Sequence, residues 1–134
     1  MPRIREHERF KVVDLKQLKG SIIGVQAPLR LSTFGGGGCG FYSLDSVPTL
    51  TTKKRVHCLF SMLQVLSVPV TVQGNVAYSR EIKSGGKVAH FYGIQFIKPH
   101  RHLIIPIVNE LTLMNGKGEV ELAEDPRTSS LKKM

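Results

Sequence analysis

The chain reads as a mainly β protein, a six-stranded antiparallel β-barrel with a C-terminal α-helix. Three observations predict this. Apolar residues recur mostly at period two or in short runs bounded by Gly, Pro and charged clusters, the mark of many moderate strands. One stretch near the end changes to helical spacing. At 134 residues the chain makes one domain with a core that needs neither disulfide nor metal.

The elements follow in order. Residues 1–9 form a basic N-terminal arm with almost no apolar side chains, expected to be flexible until a ligand orders it. Phe10–Leu15 is a short first strand. Ser21–Leu31 is a longer second strand that ends at the glycine tract Gly35-Gly36-Gly37-Gly38, and Cys39–Leu44 returns from it. Arg55–Leu66 follows a polar Pro/Thr/Lys connection whose basic run, Lys53-Lys54-Arg55, reads as a solvated loop or strand start. Pro69–Tyr78 alternates strictly through Val70, Val72, Gly74 and Val76, and a hairpin through Lys83–Lys87 leads into Val88–Ile97. Leu103, Ile104, Ile107, Val108, Leu111 and Met114 then form one apolar stripe on a helix over Arg101–Met114, with Pro106 at its start or at a kink and Asn115-Gly116 as its stop. The barrel and helix thus occupy residues 10–114, and residues 115–134 read as a polar, disordered tail.

Composition narrows the function. The net charge of +9, with 19 Lys and Arg against 10 Asp and Glu, favours an anionic partner such as a nucleotide, because a summed positive field raises encounter rates with anions. No run of about 18 apolar residues exists, since Val56–Val70 is interrupted by His57, Ser61, Gln64, Ser67 and Pro69, so no membrane span is expected. Met1–Phe10 is charged and is no secretory signal. Cys39 and Cys58 are isolated thiols, and the expected compartment is the reducing cytoplasm. His100-Arg-His102 and His57-Cys58 lack metal-site spacing, so no metal is expected. The glycine tract is followed by no Gly-Lys-Ser/Thr and is not a P-loop. No nucleophile–base arrangement stands out, and an enzyme is not expected.

The motif with the most chemistry is Arg5-x-x-x-Arg9, placed just before the first apolar run. Two planar guanidinium forks can grip a guanine edge or a phosphate in bidentate fashion. The glycine tract downstream lets a backbone approach the same ligand closely. Read without that context, arginines four apart with Glu6 and Glu8 between them are a solvated turn with weak ion pairs.

Taken in order, Arg5-x-x-x-Arg9-Phe10, Gly37-Gly38-Cys39-Gly40-Phe41, Val72-Gln-Gly74-Asn-Val76-Ala-Tyr78 and Tyr92-Gly93-Ile94-Gln95-Phe96 resemble the PilZ family, bacterial domains that receive cyclic di-GMP. The resemblance runs from Arg5 to about Leu111. It implies that Arg5 and Arg9 clamp guanine and phosphate. The family's second ligand element, [Asp/Asn]-x-Ser-x-x-Gly, is altered here. Aligned without gaps, Thr33 stands at the acidic or amide position, Gly35 at the serine and Gly38 at the glycine. A shifted register would use Arg30, Ser32 and Gly35, at the cost of about three inserted residues before the next strand, against the alternation that fixes strand register. Changing Thr33 to Asp together with Gly35 to Ser is expected to tighten binding in the ungapped register. The resemblance further implies a relay to a partner protein of flagellar, pilus or exopolysaccharide machinery.

Three functions remain open from sequence. The first is a cyclic di-GMP receptor that acts as an adaptor. The second is a degenerate module of the same fold that works through protein contact alone. The third, resting on charge and on Phe91, Tyr92 and Phe96 as stacking residues, is a nucleic-acid-binding barrel, although most of these aromatics read as core and hairpin packing.

Overall fold

The computed structural model describes residues 8–123. It contains seven strands, β1 (Arg9–Lys11), β2 (Leu18–Ile22), β3 (Arg30–Gly35), β4 (Gly38–Ser43), β5 (Arg55–Met62), β6 (Val70–Ser84) and β7 (Lys87–Phe96). A 3-10 helix (Lys98–Ile104) and helix α1 (Ile105–Gly116) follow. All ladders are antiparallel, in the order β1-β3-β4-β7-β6-β5-β2.

The expected barrel with its C-terminal helix is present, with one strand more than the six expected and without full closure. The long strand expected over Ser21–Leu31 is two strands. Gly24 adopts φ +87, a conformation that breaks extended pairing, and Pro28 in the same connection offers no N–H to a ladder. Val25 N–H instead donates to Ile22 C=O in a turn, at 3.2 Å. β2 therefore pairs with β5 and β3 with β1 and β4, and among the described residues no ladder joins β2 to β3. The sheet nevertheless curls until the two strands meet. A β-carbon at Gly20 would stand 2.8 Å from the Phe60 ring and 3.2 Å from Leu31 Cδ2.

Inward-facing residues fill the barrel. Phe34 from β3, Phe60 from β5 and Phe96 from β7 meet edge-on or tilted, with centroid separations of 4.9, 5.8 and 5.7 Å, near the geometry that aromatic quadrupoles favour. Helix α1 caps this cluster with Ile107, Leu111 and Met114, all buried, at the i, i+4, i+7 spacing of one helix face. The helix begins later than Arg101 because Pro99 and Pro106 both sit at first-turn positions, where a missing N–H costs least. His100 anchors the 3-10 turn, its Nδ1 accepting the Gln73 N–H at 3.0 Å.

Two regions run beyond their expected limits. β6 and β7 extend as a two-stranded ribbon to Gly85 and Gly86, whose φ of +57 and +78 suit a tight hairpin turn. After α1, where the sequence reads as a polar tail, the chain returns to the first strand. Val120 is buried, Lys11 N–H donates to Glu121 C=O and Ala123 N–H to Arg9 C=O, each at 2.8 Å. This segment covers the outer edge of β1.

The loop between β4 and β5 is pinned to the barrel mouth by Tyr92, which is 4 % exposed and whose hydroxyl accepts the Val47 N–H at 2.9 Å. Tyr92→Phe would leave that amide without its acceptor. The expected cost is about 1 kcal/mol of stability, up to 2 if water cannot reach the amide, read as a lower urea midpoint with an unchanged slope.

Candidate functional site

The outer face of β1, β3, β4, β7 and β6 holds the candidate site. Pairing places Arg9 opposite Gly35, and Thr33 between Lys11 on β1 and Gly40 on β4. Phe34, between them, points into the core, so alternation turns Arg9, Thr33 and Gly35 outward together. The two-residue turn Gly36–Gly37 then reverses the chain, and Gly38 and Gly40 continue the same outer face on β4.

The surface is a floor of glycines because no side chain fits there. A β-carbon at Gly38 would collide with the Ile94 carbonyl oxygen and stand 2.8 Å from Arg9 Nη2. One at Gly35 would collide with the Glu8 carbonyl oxygen and stand 3.0 Å from Arg9 Cγ. One at Gly93 would collide with the Tyr78 ring, and one at Gly40 would stand 2.7 Å from Thr33 Oγ1. The Arg9 guanidinium thus lies over Gly38, Thr33 over Gly40 and Tyr78 over Gly93.

One cross-strand row extends this floor with polar groups. Gly38 pairs with Gln95, Gln95 with Asn75 and Asn75 with Arg55. Arg55 Nε donates to Asn75 Oδ1 at 2.8 Å and Nη1 to Gln73 Oε1 at 2.9 Å. Arginines therefore stand at both ends of a row whose middle offers amide donors and acceptors. Such a surface can hold a flat, anionic, hydrogen-bonding ligand.

Of the residues singled out by sequence, Arg9, Thr33, Gly35 and Gly38 come together on this face. Arg5 lies outside the described residues, as do residues 1–7 of the expected arm. Arg30 sits further along the outer face, with its Cζ 5.8 Å from the Tyr42 ring centroid. Ser32 falls at the irregularity between Leu31 and Thr33, and its carbonyl accepts the Val12 N–H at 2.9 Å. Gln95, Asn75 and Arg55 were not singled out by sequence. Their polar, outward positions are visible in the alternation, but the row depends on which strands pair.

Beneath the floor, burial pushes the Cys39 thiol well above the ordinary thiol range, and the neighbouring Cys58 thiol adds to that shift while the Arg9 charge opposes it. Cys39 is a protonated core thiol, not a nucleophile. Among the described residues no group of three or more His, Cys, Asp or Glu side chains gathers to hold a metal. No helix among them is long and apolar enough to cross a membrane.

Neither a family model nor a curated protein matches the chain. Solved structures do. The PilZ domain with c-di-GMP of YcgR from Escherichia coli is similar at a TM-score of 0.64 and 14% identity, over 87% of this chain and 97% of that one. The K. pneumonia MrkH–c-di-GMP complex is similar at a TM-score of 0.71 and 12% identity, over 88% of this chain. This chain spans 57% of the MrkH chain's length. The glycine-turned, helix-capped barrel is a PilZ-like fold.

Proposed function

We propose that this domain is a receptor for cyclic di-GMP that binds on the glycine floor and signals by contact with a partner protein, without catalysis. The observation that carries the reading is the position of Arg9. Pairing of β1 with β3, secured from outside by the 121–123 segment, lays its guanidinium over Gly38. The fork can then reach a guanine edge or a phosphate, and the glycines beneath keep Arg9, Thr33 and Tyr78 low against the sheet, which leaves a flat surface for the ligand. Arg5, four residues earlier, supplies the second fork implied by the resemblance. Two solved structures of the same fold contain c-di-GMP, which supports the ligand's identity. The partner belongs to the flagellar, pilus or exopolysaccharide machinery that the resemblance implies.

The degenerate reading has its own supporting observation. The place of the family's serine is occupied by Gly35, where any β-carbon meets the Glu8 carbonyl, and Thr33 replaces the acid or amide. Calorimetric titration of the full chain with cyclic di-GMP separates the two readings. Saturable heat at micromolar ligand is the expected result. No heat at high micromolar ligand overturns the receptor and leaves the protein-contact module.

A further inference from the structure

A second row crosses the same face, along β4 from the glycine floor. Arg30 pairs with Tyr42, Tyr42 with Phe91 and Phe91 with Arg80, so four side chains on four adjacent strands share one side. The Tyr42 and Phe91 rings are stacked, with centroids 5.7 Å apart and planes 28° from parallel. The Arg30 guanidinium covers Tyr42 at 5.8 Å. Tyr42 and Phe91 are half-buried, whereas Arg30 and Arg80 are exposed. Tyr42 has Arg30 on its β3 side and Phe91 on its β7 side. Phe91 has Tyr42 on one side and, toward β6, the exposed Arg80.

Arg9 lies over Gly38, at the other end of β4 from this row. Gly38 and Tyr42 are four residues apart on β4, or about 13 Å at a strand's rise of ~3.3 Å per residue. Between them lie Gly40 and Gly93, paired across β4 and β7, with Thr33 Oγ1 over the first and the Tyr78 ring over the second, so a ligand spanning the two rows would rest on Thr33 and Tyr78. An open cyclic dinucleotide has this shape, two planar bases held apart by a flat ring of ribose and phosphate.

We propose that Phe91 and Arg80 receive the second guanine of cyclic di-GMP, the base stacking on Phe91 and the Arg80 guanidinium closing over it or on the adjoining phosphate. This rests on the receptor reading above. Every base offers a π-face to an aromatic ring, and a guanidinium is planar and stacks as well as pairing with phosphate. Cross-strand packing alone accounts for the Tyr42–Phe91 pair. It gives no role to Arg80, which lies in register with Phe91 at the exposed end of the row.

Calorimetry with cyclic di-GMP on the full chain and on Phe91→Leu, Arg80→Ala and Lys83→Ala tests the assignment, with thermal melts of each. Lys83 pairs with Val88, on the opposite side of the ribbon from Arg80, and serves as the charge control. Phe91→Leu and Arg80→Ala are each expected to weaken binding about tenfold, the lower part of the range for losing one base–aromatic contact. Lys83→Ala is expected to bind as the native chain does. Arg80 is exposed, so its variant reports on the ligand even if Phe91→Leu disturbs the sheet. Native binding with Arg80→Ala and Phe91→Leu both unchanged would overturn this assignment and leave the receptor reading standing. No binding by the native chain would overturn the receptor reading and this assignment with it.

Discussion

Arg9→Ala is expected to weaken cyclic di-GMP binding by ten- to hundredfold, about 1.5–3 kcal/mol, the scale of a hydrogen bond to a charged group. Titration calorimetry on the variant, against a thermal melt for the fold, measures it. The melt is a necessary control because Arg9 is no free arm residue. It is half-buried in β1, and its carbonyl accepts the Ala123 N–H. Both the ladder and that bond are backbone interactions that alanine preserves. Arg9→Lys sharpens the result. Lysine keeps the charge and most of the stem but presents a point charge in place of a bidentate fork. Lysine is expected to recover less than half of the lost binding free energy. Full recovery would show that the site reads charge alone, and equal affinity for Arg9→Ala and the native chain would remove Arg9 from the site.

The legible parts of the fold were those with one buried face. β5 alternates exposed and buried from Arg55 to Met62, and α1 buries a single stripe, so period alone locates both. β6 beyond Tyr78 leaves the barrel and projects as a ribbon exposed on both faces. Its residues from Ser79 to Lys83 carry no period-two signal, and the expected strand stopped short. The return of residues 119–123 was hidden for a related reason. Its hold on β1 comes from backbone bonds and the Lys11–Glu121 ion pair at 3.3 Å, and only Val120 marks it as packed. In the site, parity was enough for Arg9, Thr33 and Gly35, each an odd number of residues from the inward-facing Phe10 or Phe34. It would also have separated Phe91, on the outer face, from Tyr92 and Phe96, which point into the core. Parity could not find the Gln95–Asn75–Arg55 row, because that depends on non-local pairing.

Gly35→Ser is expected to lower stability by about 1–3 kcal/mol, the usual range for overpacking, which is roughly 5–10 °C in thermal midpoint for a domain of this size. The obstacle is contact and not backbone angle, since Gly35 is absent from the glycines with positive φ. Its β-carbon would run into the Glu8 carbonyl oxygen, a backbone atom that can yield only if β1 moves. Moving β1 carries Arg9 off Gly38, so binding should fall together with stability. This changes the outcome expected from sequence for the combined substitution with Thr33→Asp, where restoring both family residues was to tighten binding. Thr33 has no such obstacle. It is half-buried and stands opposite Lys11, so an aspartate there gains an opposite charge across the strands and an acceptor for a guanine edge. Thr33→Asp alone is expected to tighten binding by about 0.5–1.5 kcal/mol, two- to tenfold, and the double variant to bind more weakly than Thr33→Asp alone. Melts and titrations of the three variants decide the point. A double variant that melts with the native chain and binds best would show that β1 adapts to a side chain at Gly35. Flat affinity for Thr33→Asp in a well-folded chain would instead direct attention to the shifted register, with Ser32 and Arg30 as the residues that meet the ligand.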